Sequence, residues 1–239
     1  MLVNNEYIIV TGFGKFEDIA TAPEDFQYFN EACAKYEMSP AMFQEPNPNA
    51  PRNRIALLSE KQGRAFYIGS NRIDYINNVE KTNKEIKIDD LVSEVTSLFT
   101  LINDEYNKNF SRIGMYKRVA VKNLSSDQLD KLISKYSNPV TIYNEKQPHE
   151  LAFRLNTRKE ISIQDFTETV NVITSFEKIQ FVNKNSAEVT YQDVVLLSFD
   201  INTVPEKDLS RFNAESLSSF VLEATKIQES IISEILSDI

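Results

Sequence analysis

Histidine and cysteine each occur once in this chain, tryptophan is absent, and only five glycines are spread over 239 residues. Each scarcity excludes something. A lone cysteine, Cys33, closes no internal disulfide. A lone histidine, His149, could serve one triad but cannot build a histidine-rich metal site. No apolar run reaches the ~18 residues of a membrane helix, and no signal-peptide pattern is present, so the chain is expected to be soluble and cytoplasmic. Acidic residues outnumber basic ones, 35 to 26, for a net charge of −9. That balance repels nucleic acid and anionic membranes on average, which makes another protein or a small molecule the default partner.

The scarce glycines include the pair in "EYIIVTGFGKFED", where Gly12-Phe13-Gly14-Lys15 follows an apolar run. A dinucleotide fingerprint needs a third glycine and a helix opening directly behind it, so that backbone N–H groups meet the pyrophosphate. Here Glu17 and Asp18 stand where the phosphate would sit, and the first helix signal waits until Pro23. A P-loop is excluded as well, since Gly14-Lys15 is followed by Phe16. The glycines are expected to let an aromatic strand bend or bulge before its loop.

Other candidates for chemistry read more simply as structure. No G-x-S-x-G elbow or other nucleophile context accompanies His149, which reads as a loop residue. Cys33 falls on the apolar side of a helix and reads as a small buried hydrophobe. Asp89-Asp90, Asp104-Glu105 and Glu17-Asp18 look like helix starts or solvated faces, and no D-x-D-x-D-G loop occurs. Pro48-Asn49-Ala50-Pro51 is formally P-x-x-P, but it links a helix to strands and reads as a stiff connection. No cofactor or metal site is called for by these patterns.

What is present is strong periodicity. In "KIDDLVSEVTSLFTLINDEY" Ile88, Leu91, Val92, Val95, Leu98, Phe99, Ile102 and Tyr106 form one helical stripe. Leu217, Phe220, Val221, Ala224, Ile227, Ile231 and Ile235 form a second, entered near Pro205 or Ala214. A shorter helix starts at Pro23 with Phe26, Phe29, Cys33 and Tyr36 inside, and Ser125 and Gln128 announce another through a capping box. Between them "NRIALLSEKQGRAFYIGSNRIDYINN" reads as a three-strand meander turning at Glu60–Gly63 and Ser70-Asn71. "AEVTYQDVVLLSFDIN" alternates with Val189, Tyr191, Val195, Leu197, Phe199 and Ile201 on its core face.

These elements predict an α+β protein whose antiparallel sheets grip long helices. Their order suggests a duplicated strand, helix, three-strand, long-helix unit, with halves at 1–108 and 109–239 forming one compact unit. Such sheets leave a face for a partner. On it the strand "SRIGMYKRVAVK" sets Arg112, Tyr116, Arg118 and Lys122, and "LAFRLNTRK" sets Arg154 and Arg158, as a basic stripe. The stripe suits an anionic ligand, with cross-strand pairing to Glu188 and Asp200 as the structural alternative.

"YNKNFSRIGMYKRVAV", leading from a helix into an Arg-x-Gly strand at Arg112 and Gly114, and "LLSFDIN", ending at a strand-end acid Asp200 before a long closing helix, resemble a sporadically distributed family of uncharacterised bacterial proteins of similar length. The resemblance implies this fold and no established activity, and patchy distribution implies a role in bacterial or phage conflict. The leading expectation is therefore a non-enzymatic binding or assembly protein acting through its open sheet face, with a protein partner and self-association as its forms. A binder of phosphate-bearing or nucleic-acid ligands through the basic stripe, and an enzyme with a carboxylate-rich site formed only in the fold, stay open as alternatives.

Overall fold

The computed structural model describes residues 1–19, 21–46, 50–136, 150–185, 188–205, 210–237 and 239, with the backbone alone described at 182–185 and 188–190. Strand β1 (Leu2–Phe13) leads to helix α1 (Pro23–Cys33) and then to β2 (Ser39–Glu45), β3 (Arg52–Ser59), β4 (Arg64–Ile68) and β5 (Arg72–Asn78). A single turn, α2 (Val79–Thr82), precedes the long α3 (Ile88–Tyr106). The second half runs β6 (Arg112–Lys122), α4 (Ser126–Tyr136), β7 (Leu151–Ile163), β8 (Phe166–Asn185), β9 (Glu188–Thr203) and α5 (Ala214–Leu236).

All described strands join one antiparallel sheet in the order β2-β3-β4-β5-β1-β6-β9-β8-β7. The two expected sheets are one, because β1 pairs with β5 on one side and β6 on the other. Register fixes which side chains share a face. Val10 stands opposite Tyr75 and Met115, Met115 opposite Ile201, and Val119 opposite Leu197. These are all buried, and they pack with Phe29 and Cys33 of α1, Leu98 and Phe99 of α3, Leu132 of α4 and Phe220 of α5. Among the described residues the four longer helices cover one face of the sheet, and none of them covers the other, where Ala120, Val194 and Leu196 form a small buried cluster with Ile179.

Local chemistry places the helices where the pattern puts them. Pro23 occupies the first turn of α1, and Asp89 and Asp90 the first turn of α3, where the dipole favours them. The capping box closes reciprocally: Ser125 N–H donates to Gln128 Oε1 at 3.0 Å and Gln128 N–H to Ser125 Oγ at 3.3 Å. Helix α5 begins at Ala214, where Asn213 Oδ1 accepts from Ser216 N–H at 2.9 Å.

Three local expectations are corrected. A strand at Ser39–Glu45 adds β2 beyond the meander, so four strands follow α1. Its Pro40 is tolerated because β2 is an edge strand. The bulge in β1 lies at Glu6, between Asn5 and Tyr7. Gly12 is instead required for packing: a Cβ there would stand 2.6 Å from the Phe110 ring and 3.0 Å from that of Phe99. Tyr191 has core-face parity yet is 64% exposed, since β6 stops pairing with β9 at Val195 and the hairpin beyond has only β8 beside it. Pro48, Asn49 and His149 lie outside the described residues.

Candidate binding face

The face opposite these helices is best defined at its centre. Thr11 of β1, Gly114 of β6 and Asn202 of β9 are in register, and Gly114 contributes no side chain. Around it a hollow of about 290 Å³ is lined by Phe13, Arg72, Asp74, Arg112, Tyr116 and Asp200, among others. A polar network fixes both sides. On the β5 side Arg72 Nε lies 2.8 Å from Asp74 Oδ2, and Thr11 Oγ1 donates to Asp74 Oδ1 at 2.7 Å. On the β9 side Arg112 donates through Nε to Thr203 O at 3.0 Å and through Nη2 to Asn202 Oδ1 at 2.6 Å. Asn202 Nδ2 in turn donates to Asp200 Oδ1 at 2.7 Å. The Arg112 guanidinium also sits 4.8 Å over the Phe13 ring.

One turn of the pleat along, Tyr116 stacks on Tyr7 at 5.5 Å and donates to Ser198 Oγ at 2.9 Å. Burial and the Tyr116 hydrogen bond push the Tyr7 phenol up to about 12, so it stays protonated at neutral pH. Arg118 lies 4.4 Å over Tyr7 and donates through Nε to Glu6 Oε2 at 2.5 Å. Glu6 itself, the extra residue of the bulge, is 4% exposed. Arg118 is therefore a structural partner, though through Glu6 and not through Asp200; the Glu188 side chain lies outside the described residues.

The six sequence-predicted residues share the face by register, but they do not form one patch. Arg112 and Tyr116 line the hollow, whereas Lys122 borders a separate depression beside the bulge with Glu6, Glu80 and Glu85. Arg154 and Arg158 are exposed on β7, where Arg158 faces Asn171 and Asn171 faces Asn202. Two strands intervene, so they stand about 14 Å from β6 at the usual inter-strand spacing. Sequence reasoning missed Tyr7, Phe13, Arg72 and Asp74, which complete the centre from β1 and β5. The alternation Tyr7, Ile9, Thr11, Phe13 carried that signal.

The loop after β1 is built by other means than phosphate binding. Gly14 N–H donates to Asn71 O at 3.0 Å and Phe16 N–H to Ser70 O at 2.8 Å. The buried Arg54 guanidinium donates to the carbonyls of Phe16, Glu17, Ile68 and Gly69. A lysine, Lys108, pairs with Asp18 at 2.6 Å and its hydrogen bond lowers the Asp18 pKa. Cys33 is fully buried, and burial pushes its thiol up to about 12. Among the described residues no group of three or more His, Cys, Asp or Glu side chains is placed to hold a metal ion, and no helix is long and apolar enough to cross a membrane.

No protein-family model matches the chain, and a search of curated proteins also finds no match.

Proposed function

We propose that the chain is a binding protein that captures another protein on the open face of its sheet, with the hollow over Gly114 as the anchor point. One observation carries this reading: the face opposite the described helices gathers Phe13, Tyr116 and Arg112 around a side-chain-free residue. Aromatic rings and arginine dominate the energetic centres of protein interfaces, and a central pocket suits one inserted side chain. The charge pattern favours a protein over a polyanion. Arg72 has Asp74 and Arg118 has Glu6, while Asp200 shares the hollow with Arg112. A phosphate backbone gains little from arginines already matched to carboxylates, whereas a protein segment can insert an apolar side chain and exchange hydrogen bonds with Arg112 and Asp200.

The element order supports a duplication behind this face. Outward from the β1–β6 junction the sheet reads β5, β4, β3 on one side and β9, β8, β7 on the other, with β2 added at one edge. In this reading the hollow sits at the pseudo-symmetric centre. The conflict-system role implied by the family resemblance would make the captured protein a component of such a system.

Photo-crosslinking side chains at Thr11 and Tyr116 in cells, followed by titration of the purified adduct partner, test the reading. Gly114→Leu fills the hollow with a Cβ 3.3 Å from Asn202 Cβ, and with Tyr116→Ala it should weaken affinity about tenfold. Leu222→Ala, on an exposed position of α5, should leave affinity unchanged. Loss of binding in the α5 variant alone, or crosslinking only to nucleic acid, would overturn the proposal.

A further inference from the structure

The sheet ends at β7, and among the described residues no strand pairs with its outer edge. Residues 154–160 of that strand are exposed on both faces, including Leu155 at 58% on the helix side. A long uncovered edge presents unpaired N–H and C=O groups, a template for another strand. The charges that guard it, Arg154, Arg158, Lys159 and Glu160, are of both signs and in an order that matches itself.

We propose that two copies of the chain join edge to edge through β7, antiparallel and two-fold about Thr157. A two-fold axis normal to the sheet keeps each face on its own side, so residues pair with others of the same parity. Centred on Thr157, the register sets Arg154 against Glu160 twice and Asn156 against Arg158 twice on the open face. On the helix face it sets Leu155 against Lys159, Phe153 against Ile161 and Leu151 against Ile163. Centring on Asn156 would set Arg154 against Arg158, and centring on Arg158, Lys159 or Glu160 would set each against its own copy. Centring on Leu155 would oppose Glu150 and Glu160. Opposite charges directly across a strand pair stabilise and like charges destabilise, so among registers centred between Leu155 and Glu160 the sequence of the edge favours this one. The dimer uses an edge and leaves the open face free, so it stands or falls independently of the capture site over Gly114.

Sedimentation of the full chain over a concentration series should show a reversible monomer–dimer equilibrium. Arg154→Glu, which sets two carboxylates opposite each other twice, should raise the dimer dissociation constant about tenfold or more. The swap Arg154→Glu with Glu160→Arg should restore it. Oxidised Thr157→Cys should form a disulfide dimer, because directly opposed Cα atoms lie ~4.5–5.5 Å apart. Glu160→Cys should not, its two copies being ~20 Å apart along the strands. A chain that sediments as monomer throughout, a swap as weak as the single variant, or Glu160→Cys cross-linking as readily as Thr157→Cys would each overturn the proposal.

Discussion

Replacing a lysine at the middle of the sheet should make this protein more stable. Lys117 lies on the helix side of β6, directly between Ile8 of β1 and Phe199 of β9, and is 8% exposed. No ion pair joins it among the described residues. Burial lowers its pKa, and the attraction of Glu229 and Glu85 only partly offsets that. A charge held in this position is retained at a desolvation cost, while its aliphatic stem supplies the packing. Lys117→Met keeps the stem and removes the charge, so it should add about 1–3 kcal/mol at neutral pH, the range seen when buried ions are replaced by apolar side chains. For a chain of this size that is a rise in Tm of about 2–4 °C per kcal/mol. The pH dependence has a definite sign. Between the lowered folded pKa and the ordinary lysine value near 10.4, the unfolded chain holds a proton that the folded chain has lost, so wild-type stability rises with pH there. Urea unfolding of both proteins at neutral and at alkaline pH measures the difference, which should shrink as pH climbs through that window. A destabilised Lys117→Met variant, or a gain that does not change with pH, would refute the reasoning.

Leu98→Ala and Ile227→Ala, which truncate buried residues on the two long helices, should each lose about 2–4 kcal/mol in a denaturant series through transfer and cavity terms. Arg54→Met should lose at least about 3 kcal/mol, because four backbone carbonyls around the loop after β1 lose a buried charged donor; proteolysis within residues 14–19 should then accelerate. Arg118→Glu places like charge beside the buried Glu6 and should cost about 3–5 kcal/mol, with Glu6→Gln in the same chain recovering part of it. The Cys33 thiol, pushed up to about 12, should react with a thiol reagent only as fast as the protein unfolds.

The helices and most strands were legible because their apolar spacing has one interpretation. The stripes of α3 and α5, the capping box at Ser125 and the meander through β3, β4 and β5 all appear where alternation and turn residues place them. β2 was hidden because "SPAMFQE" has a proline and no clean alternation, and only its position at the sheet edge lets it pair. The buried polar residues were less accessible still. Glu94 has the spacing of a stripe residue but the chemistry of a surface one, and its place in the core depends on Arg64 and Tyr75, which contact it from β4 and β5. Lys117 likewise alternates with Met115 and Val119 on the core side of β6.

The binding face exposes a different limit. Alternation within one strand correctly set Arg112, Tyr116 and Arg118 on the same side, but it carries no information about which strand lies next to it. The order β1-β6-β9 decides that. It brings Tyr7 under Arg118 and Phe13 under Arg112, and it separates both arginines from Arg154 and Arg158 by two strands. A stripe that looked uniformly basic along the chain therefore resolves into different environments in space. Arg118 is committed to the fold through Glu6, Arg112 frames a hollow, and the β7 arginines guard an edge. Arg118 also has an aromatic neighbour in Tyr7, but only the second joins aromatic company to the concavity that an inserted side chain needs, which is why the capture site is assigned to Gly114 and its neighbours and not to the stripe as a whole.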